Sequence, residues 1–178
     1  MKKITLGVCG TIGASNIDNY VILLSRLYEV NVILTQNAKR FIAYETLKYY
    51  CNSLHTGLFN ATTTSVDHVK LGKECDHFII MPVSANMLGK ISNGIADDLL
   101  SSAVLNYQGR ILFAPNMNQT MWDNQVVQDN VNYLKDKGHQ FINKRKKGVE
   151  AYDNSIVEID SALPSPRELI NILQKAQI

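Results

Sequence analysis

Small residues, hydroxyls and uncharged amides cluster at four places in this chain, and one histidine stands apart from the other three. Gly10-Thr11-Ile12-Gly13-Ala14-Ser15 follows a short apolar run. Small residues there let backbone amides approach a ligand, hydroxyls donate to phosphate oxygens, and a helix starting near Asn16 favours an anion at its N-terminus. Gly10 and Gly13 make neither a GxGxxG fingerprint nor a P-loop, so a tight turn that needs glycine explains them equally well. Thr35, with Asn37 and Phe41 a few residues on, serves either as a helix cap or as a second ligand contact. Pro82-Val83-Ser84-Ala85-Asn86-Met87 offers a rigid start, a hydroxyl and an amide that can both donate to and accept from a heterocycle or ribityl chain. Pro115-Asn116-Met117-Asn118 sets two amides and no charge together, which suits a carboxylate or amide held without titration. Met121 and the sole tryptophan, Trp122, add an apolar wall; the plainer reading is an asparagine-rich turn with a core tryptophan. His55 and His139 lie in or near loops and His77 precedes a strand, so all three read as surface or structural. His68 falls at the start of a short helix ending near Cys75, where a neutral imidazole can act as a base. Asp67 beside it makes no dyad, because neighbours on a helix do not face each other.

These residues need a frame. Ile4–Cys9, Val30–Leu34, Phe78–Met81 and Arg110–Ala114 are apolar runs rich in β-branched residues and read as buried strands, with weaker candidates at Gln140–Asn143 and Ile156–Ile159. Helical spacing covers Ile17–Tyr28, Ala38–Tyr50, Ala85–Ile91, Ala96–Asn106 and Val126–Lys137. A last helix, Ser165–Ala176, opens on a capping serine, then proline and an early acid. Strand–helix alternation implies an α/β fold with a doubly wound parallel sheet, covered by helices on both faces. Ligands in such sheets sit beyond the carboxyl ends of the strands, where 10–15, 35–37, 82–87 and 115–118 all fall. The basic, irregular stretch 144–164 reads as a long loop or substrate lid.

With 178 residues, the chain is expected to form one domain, 1–178. A net charge of +2 shows no concentrated basic face, so no nucleic-acid partner is expected; Lys144–Lys147 reads as a solvated loop. Cys9, Cys51 and Cys75 are odd in number and form no CxxC, which argues against a metal site or a disulfide framework and for a reducing, cytoplasmic compartment. No stretch approaches the roughly 18 apolar residues of a membrane span. The apolar N-terminus breaks at Gly10 and reads as a strand rather than a signal peptide.

Taken in order, Asp67-His68-Val69, Pro82–Met87 and Pro115–Asn118 resemble the three motifs of the homo-oligomeric flavin-containing cysteine decarboxylases. Their order and spacing match along most of residues 4–137, and Pro115–Asn118 with Met121-Trp122 is especially similar to the epidermin-type enzymes. The resemblance implies a Rossmann-like, three-layer flavoprotein and a substrate whose cysteine is oxidised at Cα–Cβ–S before the thioaldehyde loses carbon dioxide. It implies His68 as base and Asn118 as the amide that holds the departing carboxylate, with Asn116, Met117 and Met121 around the substrate. Gly10, Thr11, Ile12, Ser15, Thr35, Phe41 and Pro82, Val83, Ser84, Ala85, Asn86 and Met87 fall on flavin-binding segments. FMN is the implied cofactor, with FAD possible, since Val83 and Met87 depart from the usual alanine and threonine and Met87 removes a hydroxyl. Homotrimers or homododecamers, with flavin at a subunit interface, are also implied. The coenzyme A branch returns electrons through a cysteine in a C-terminal loop, whereas this sequence has none after Cys75. The expected substrate is therefore a precursor peptide ending in cysteine, converted to an aminoenethiol as in lantibiotic biosynthesis. Phosphopantothenoylcysteine decarboxylation and a non-catalytic flavin-binding regulator stand as the alternatives.

Overall fold

The inner strands of the sheet are largely apolar because both of their faces are covered. On one face Ile4, Leu6, Val8, Val30, Val32, Leu34, Ile79, Met81, Leu112 and Ala114 form one buried cluster. Their neighbours Ile33, Phe78, Ile80, Ile111 and Phe113 point into a second cluster on the other face, as the two-residue period of a strand requires. The computed structural model describes residues 1–58, 66–150 and 152–175.

In chain order the elements are β1 (Lys3–Val8), α1 (Ile17–Leu24), β2 (Glu29–Leu34), α2 (Tyr44–Lys48), β3 (Ser53–His55) and α3 (Asp67–Lys73). Then come β4 (His77–Val83), α4 (Ala85–Ser92), α5 (Leu99–Leu105), β5 (Ile111–Pro115), α6 (Gln119–Trp122) and α7 (Gln125–Asp136). The chain closes with β6 (Gln140–Phe141), β7 (Lys144–Val149), β8 (Ile156–Ala162) and α8 (Pro166–Lys175). Six strands form one sheet in the order β3-β2-β1-β4-β5-β6, every neighbouring pair parallel. This is the doubly wound, Rossmann-like arrangement, with its winding reversed between β1 and β4. At Gly7 an added Cβ would stand 2.4 Å from Leu100 Cδ1, so glycine there is what lets α5 lie close on β1. Among the described residues no helix is long and apolar enough to cross a membrane.

The structure departs from the sequence expectations in four places. The stretch expected as a helix from Ala38 to Tyr50 is a 3-10 turn, Ala38–Arg40, followed by the short α2. Between Gly10 and α1 the chain makes another 3-10 turn, Ile12–Asn16, before the α-helix starts. Strand β3 has no apolar run to announce it. The region 144–164, expected as a long loop apart from a weak strand at Ile156–Ile159, is an antiparallel hairpin of β7 and β8 in which that strand falls within β8; Ala151 within it, and Ala176 at the end of the last expected helix, lie outside the described residues.

The hairpin has a visible cause. Arg145 on β7 pairs with Glu158 across the ladder and, at 3.5 Å, with Asp160; Lys146 donates to the Leu163 carbonyl at 2.9 Å. Lys144 reaches Glu168 on α8 at 3.5 Å. The basic run is thus largely engaged with acids and carbonyls of its own chain, and opposite charges across a ladder stabilise it.

Candidate active site

Three post-strand loops meet where the winding reverses. The Cys9 amide donates to the Pro82 carbonyl at 3.0 Å and the Asn116 amide to the Val83 carbonyl at 3.1 Å, so each loop is tied to its neighbour as it leaves the sheet. Asn116 then braces the first loop. Its Oδ1 accepts from the Thr11 hydroxyl at 2.8 Å and from the Gly13 amide at 2.9 Å. A Cβ on Gly13 would sit 2.7 Å from that oxygen, so this glycine serves close approach rather than an unusual backbone angle.

Two adjoining cavities open on these loops, each of about 380 Å³. Gly10, Thr11, Ile12, Ser84, Ala85, Asn116, Met117, Asn118 and Met121 line the first, with Val149, Glu150 and Ile159 of the hairpin over it. The second is lined by Gly10, Thr35, Ser84, Asn86 and Met87, joined by Cys9, Gln36, Asn37, Lys90 and Asp98. Gly10 and Ser84 belong to both. A Cβ on Gly10 would stand 2.5 Å from the Asn37 backbone carbon, so the two loops touch only because that position is bare.

Each wall is braced from behind. Ser84 caps α4, its Oγ accepting from the Met87 amide at 3.3 Å, and the positive end of α4 faces the cavities. Met87 itself is 1% exposed and packs with Leu88 and Ile91, so the side chain that replaces a hydroxyl is spent on the core. Lys90 is held by Asp97 at 2.7 Å and Asp98 at 3.0 Å. Burial pulls its pKa down, but those two carboxylates outweigh it and raise it; the ammonium stays charged beside the second cavity. Cys9 lies wholly buried, and desolvation pushes its thiol up to about 11, so it sits there as a neutral group. Trp122 is in the second apolar cluster, leaving Met121 as the exposed part of that wall.

Asn118 caps α6. Its Oδ1 accepts from the Met121 amide at 2.8 Å, which leaves the NH₂ hydrogens free to donate. The hairpin is seated on the same short helix. The Asp160 amide donates to Gln119 Oε1 at 2.8 Å and the Ser161 hydroxyl to the Met117 carbonyl at 2.7 Å.

Other expected site residues lie elsewhere. Ser15 turns its hydroxyl back to the Ile12 carbonyl, Phe41 ends the 3-10 turn half-exposed, and Pro82 and Val83 are buried in β4. His68 stands on the first turn of α3 and is not among the residues lining either cavity. Its Nδ1 is buried without a hydrogen-bond partner among the described residues. Asp67 pairs instead with His55, Oδ2 to Nδ1 at 3.1 Å. His139 accepts the Ile111 amide through Nδ1 and His77 packs edge-on to Tyr28.

The family described as Flavoprotein matches residues 1–176. The chain belongs to that family. Among relatives, the flavoprotein is 32% identical over 139 residues to mersacidin decarboxylase of Bacillus sp. (strain HIL-Y85/54728), covering 78% of this chain and 71% of that one. It is also 31% identical over 175 residues to a Streptococcus mutans protein named "Probable phosphopantothenoylcysteine decarboxylase", covering 94% and 98%. In structure it resembles epidermin biosynthesis protein EpiD from Staphylococcus aureus, with a TM-score of 0.85, 29% identity and coverage of 96% and 99%. An EpiD variant complexed with the substrate peptide DSYTC matches at a TM-score of 0.86 and 25% identity, covering 98% and 99%. A flavin suits the two cavities of this flavoprotein: an apolar, amide-lined chamber adjoins a hydroxyl- and ammonium-lined one across the bare Gly10.

Proposed function

We propose that this flavoprotein is an FMN-dependent decarboxylase that acts on the C-terminal cysteine of a precursor peptide and releases it as an aminoenethiol. Asn118 carries the reading. With Oδ1 committed to capping α6, the side chain offers only donors to the apolar chamber formed by Met117 and Met121. An uncharged donor orients a carboxylate without the ground-state stabilisation that a cation would give, and so does not oppose its departure. Bound FMN supplies the two-electron oxidation; the substrate loses two hydrogens and carbon dioxide as the Cα–carboxyl bond breaks. Ser84, Ala85, Asn86, Thr35 and Lys90 would hold the cofactor, with the Gly10–Gly13 loop packed against it. Val149, Glu150 and Ile159 close the chamber from above and exclude water from the reacting cysteine.

His68 would serve as the base, delivered to the chamber by a second copy of the chain in a trimer or larger assembly, since it lines neither chamber of its own chain. The peptide substrate is favoured over phosphopantothenoylcysteine because neither the hairpin nor any residue after Cys75 supplies a thiol to return electrons. The similarity to the Streptococcus mutans protein along nearly the whole chain keeps the coenzyme A substrate as the second reading.

The test is incubation of the FMN-loaded protein with peptides ending in cysteine, read by mass spectrometry. The expected product is lighter by one carbon dioxide and two hydrogens, with turnover lowered about 100-fold or more in His68→Asn and Asn118→Ala. Turnover of phosphopantothenoylcysteine but of no peptide would move the protein to the coenzyme A branch. Failure to take up any flavin would end both readings.

A further inference from the structure

A polar cavity of about 260 Å³ shares no lining residue with the two flavin chambers and is lined by Thr5, Asn31, Ser53, His55, Asp67 and Lys70 among others. Inside it Ser53, His55 and Asp67 follow the order of a hydrolase triad: Ser53 Oγ is 2.9 Å from His55 Nε2, and His55 Nδ1 is 3.1 Å from Asp67 Oδ2. The hydrogen bonds run the wrong way for hydrolysis. The Ser53 hydroxyl donates to Asn31 Oδ1 at 2.6 Å, the oxygen that also accepts from Asn52 Nδ2 at 3.0 Å. With its proton directed to Asn31, Ser53 is not set to hand that proton to His55 as a nucleophile would.

What the network does hold is α3. The middle of that helix is fixed to the body twice: the Leu71 carbonyl accepts from the buried Thr5 hydroxyl at 2.8 Å, and Gly72 packs so closely that a Cβ would stand 2.5 Å from the Ala103 carbonyl. Its first turn, which carries His68, is tied to the edge strand β3 through the buried Asp67 and His55. His55 sits on the sheet in register with Ile33, and Ser53 and Asn31 fix the far side of its ring. A carboxylate at the first turn also suits the helix dipole.

We propose that His55 and Asp67 are positioning residues for the decarboxylation: their pairing sets the first turn of α3 and thereby aims His68. The assignment rests on His68 being the base. Geometry of this kind matters because displacement of a catalytic group by about 1 Å can lower a rate about 100-fold.

The experiment compares His55→Leu, Asp67→Ala, their double variant, His55→Asn and His68→Asn, all FMN-loaded, for kcat and KM on a cysteine-ended peptide. His55→Leu and Asp67→Ala each lower kcat about tenfold to a hundredfold while KM and the bound-flavin spectrum hold within about twofold. The double variant is no slower than the slower single, as coupled partners require. His55→Asn restores kcat to within about threefold of the parent, because its Nδ2 stands near the position of Nδ1 and can donate to Asp67. If His55→Leu loses its flavin or does not fold, Asp67→Ala and His55→Asn carry the comparison. An inactive His68→Asn beside a fully active Asp67→Ala, or a His55→Asn as slow as Asp67→Ala, overturns the positioning role alone. A fully active His68→Asn overturns the base and the positioning role together.

Discussion

Gly10 stands where the two chambers of the candidate site adjoin. Its missing Cβ lets the first loop rest against Asn37, and it lines both chambers. Gly10→Ala would push a methyl to 2.5 Å from a backbone carbon that cannot swing aside. The expected result is a loss of about 1–3 kcal/mol in stability from overpacking and flavin affinity weakened by at least tenfold, measured by urea unfolding and by flavin fluorescence titration. Unchanged affinity in a folded Gly10→Ala would show that the contact is incidental. Sequence made this glycine visible but not its reason, because the atom it must avoid lies 27 residues along the chain. Asn118 and Met121 were legible as parts of one post-strand segment, and both line the first chamber. Asn116 was expected beside substrate, and its oxygen proves to be shared by Thr11 and Gly13. Nothing in a linear reading pairs Asp67 with His55 rather than with its neighbour His68.

At the scale of elements, the strands with continuous apolar runs were legible, as were α4, α5, α7 and α8 within a few residues. β3 was not, because Ser53, Leu54 and His55 belong to a polar edge where hydrogen bonds to β2 replace burial. Of the hairpin, Ile156–Ile159 in β8 was legible as a weak strand, but β7 was hidden behind Lys144-Arg145-Lys146-Lys147, which has no alternation. Its strand pairing comes from the ladder and from ion pairs with residues 13 and more positions away. Val149 and Glu150, brought over the first chamber by that ladder, carried no signal of their own. The seat of the hairpin on α6 is compact enough to cut. Gln119→Ala removes the acceptor of the Asp160 amide and should speed hydrogen exchange across 156–162, while costing about 1 kcal/mol or less of global stability. Protection of 156–162 equal to that of the parent would mean that Ser161 and Met117 suffice to hold it.

For the whole molecule, the buried thiol of Cys9 links folding to pH. Its pKa is pushed up by desolvation to about 11 from an ordinary value of 9.0. The folded chain therefore keeps a proton that the unfolded chain releases first. Stability from this group is complete below pH 9 and falls as pH rises from about 9 to about 11, by about 2–3 kcal/mol in all. Burial raises Cys51 and Cys75 in the same direction. Urea midpoints measured at pH 8 and pH 10.5 should diverge, and Cys9→Ala should narrow the gap. A gap of the same size in that variant would remove Cys9 as its source.

The hairpin is one unbroken stretch of chain, and its strands bond to each other rather than to the six-stranded sheet. It behaves as an interchangeable roof. Residues 144–159 can vary without breaking a ladder of the six-stranded sheet, so long as Asp160 and Ser161 keep their bonds to Gln119 and Met117. A lineage of such proteins can keep one reaction and acquire new clients by editing about a tenth of its length.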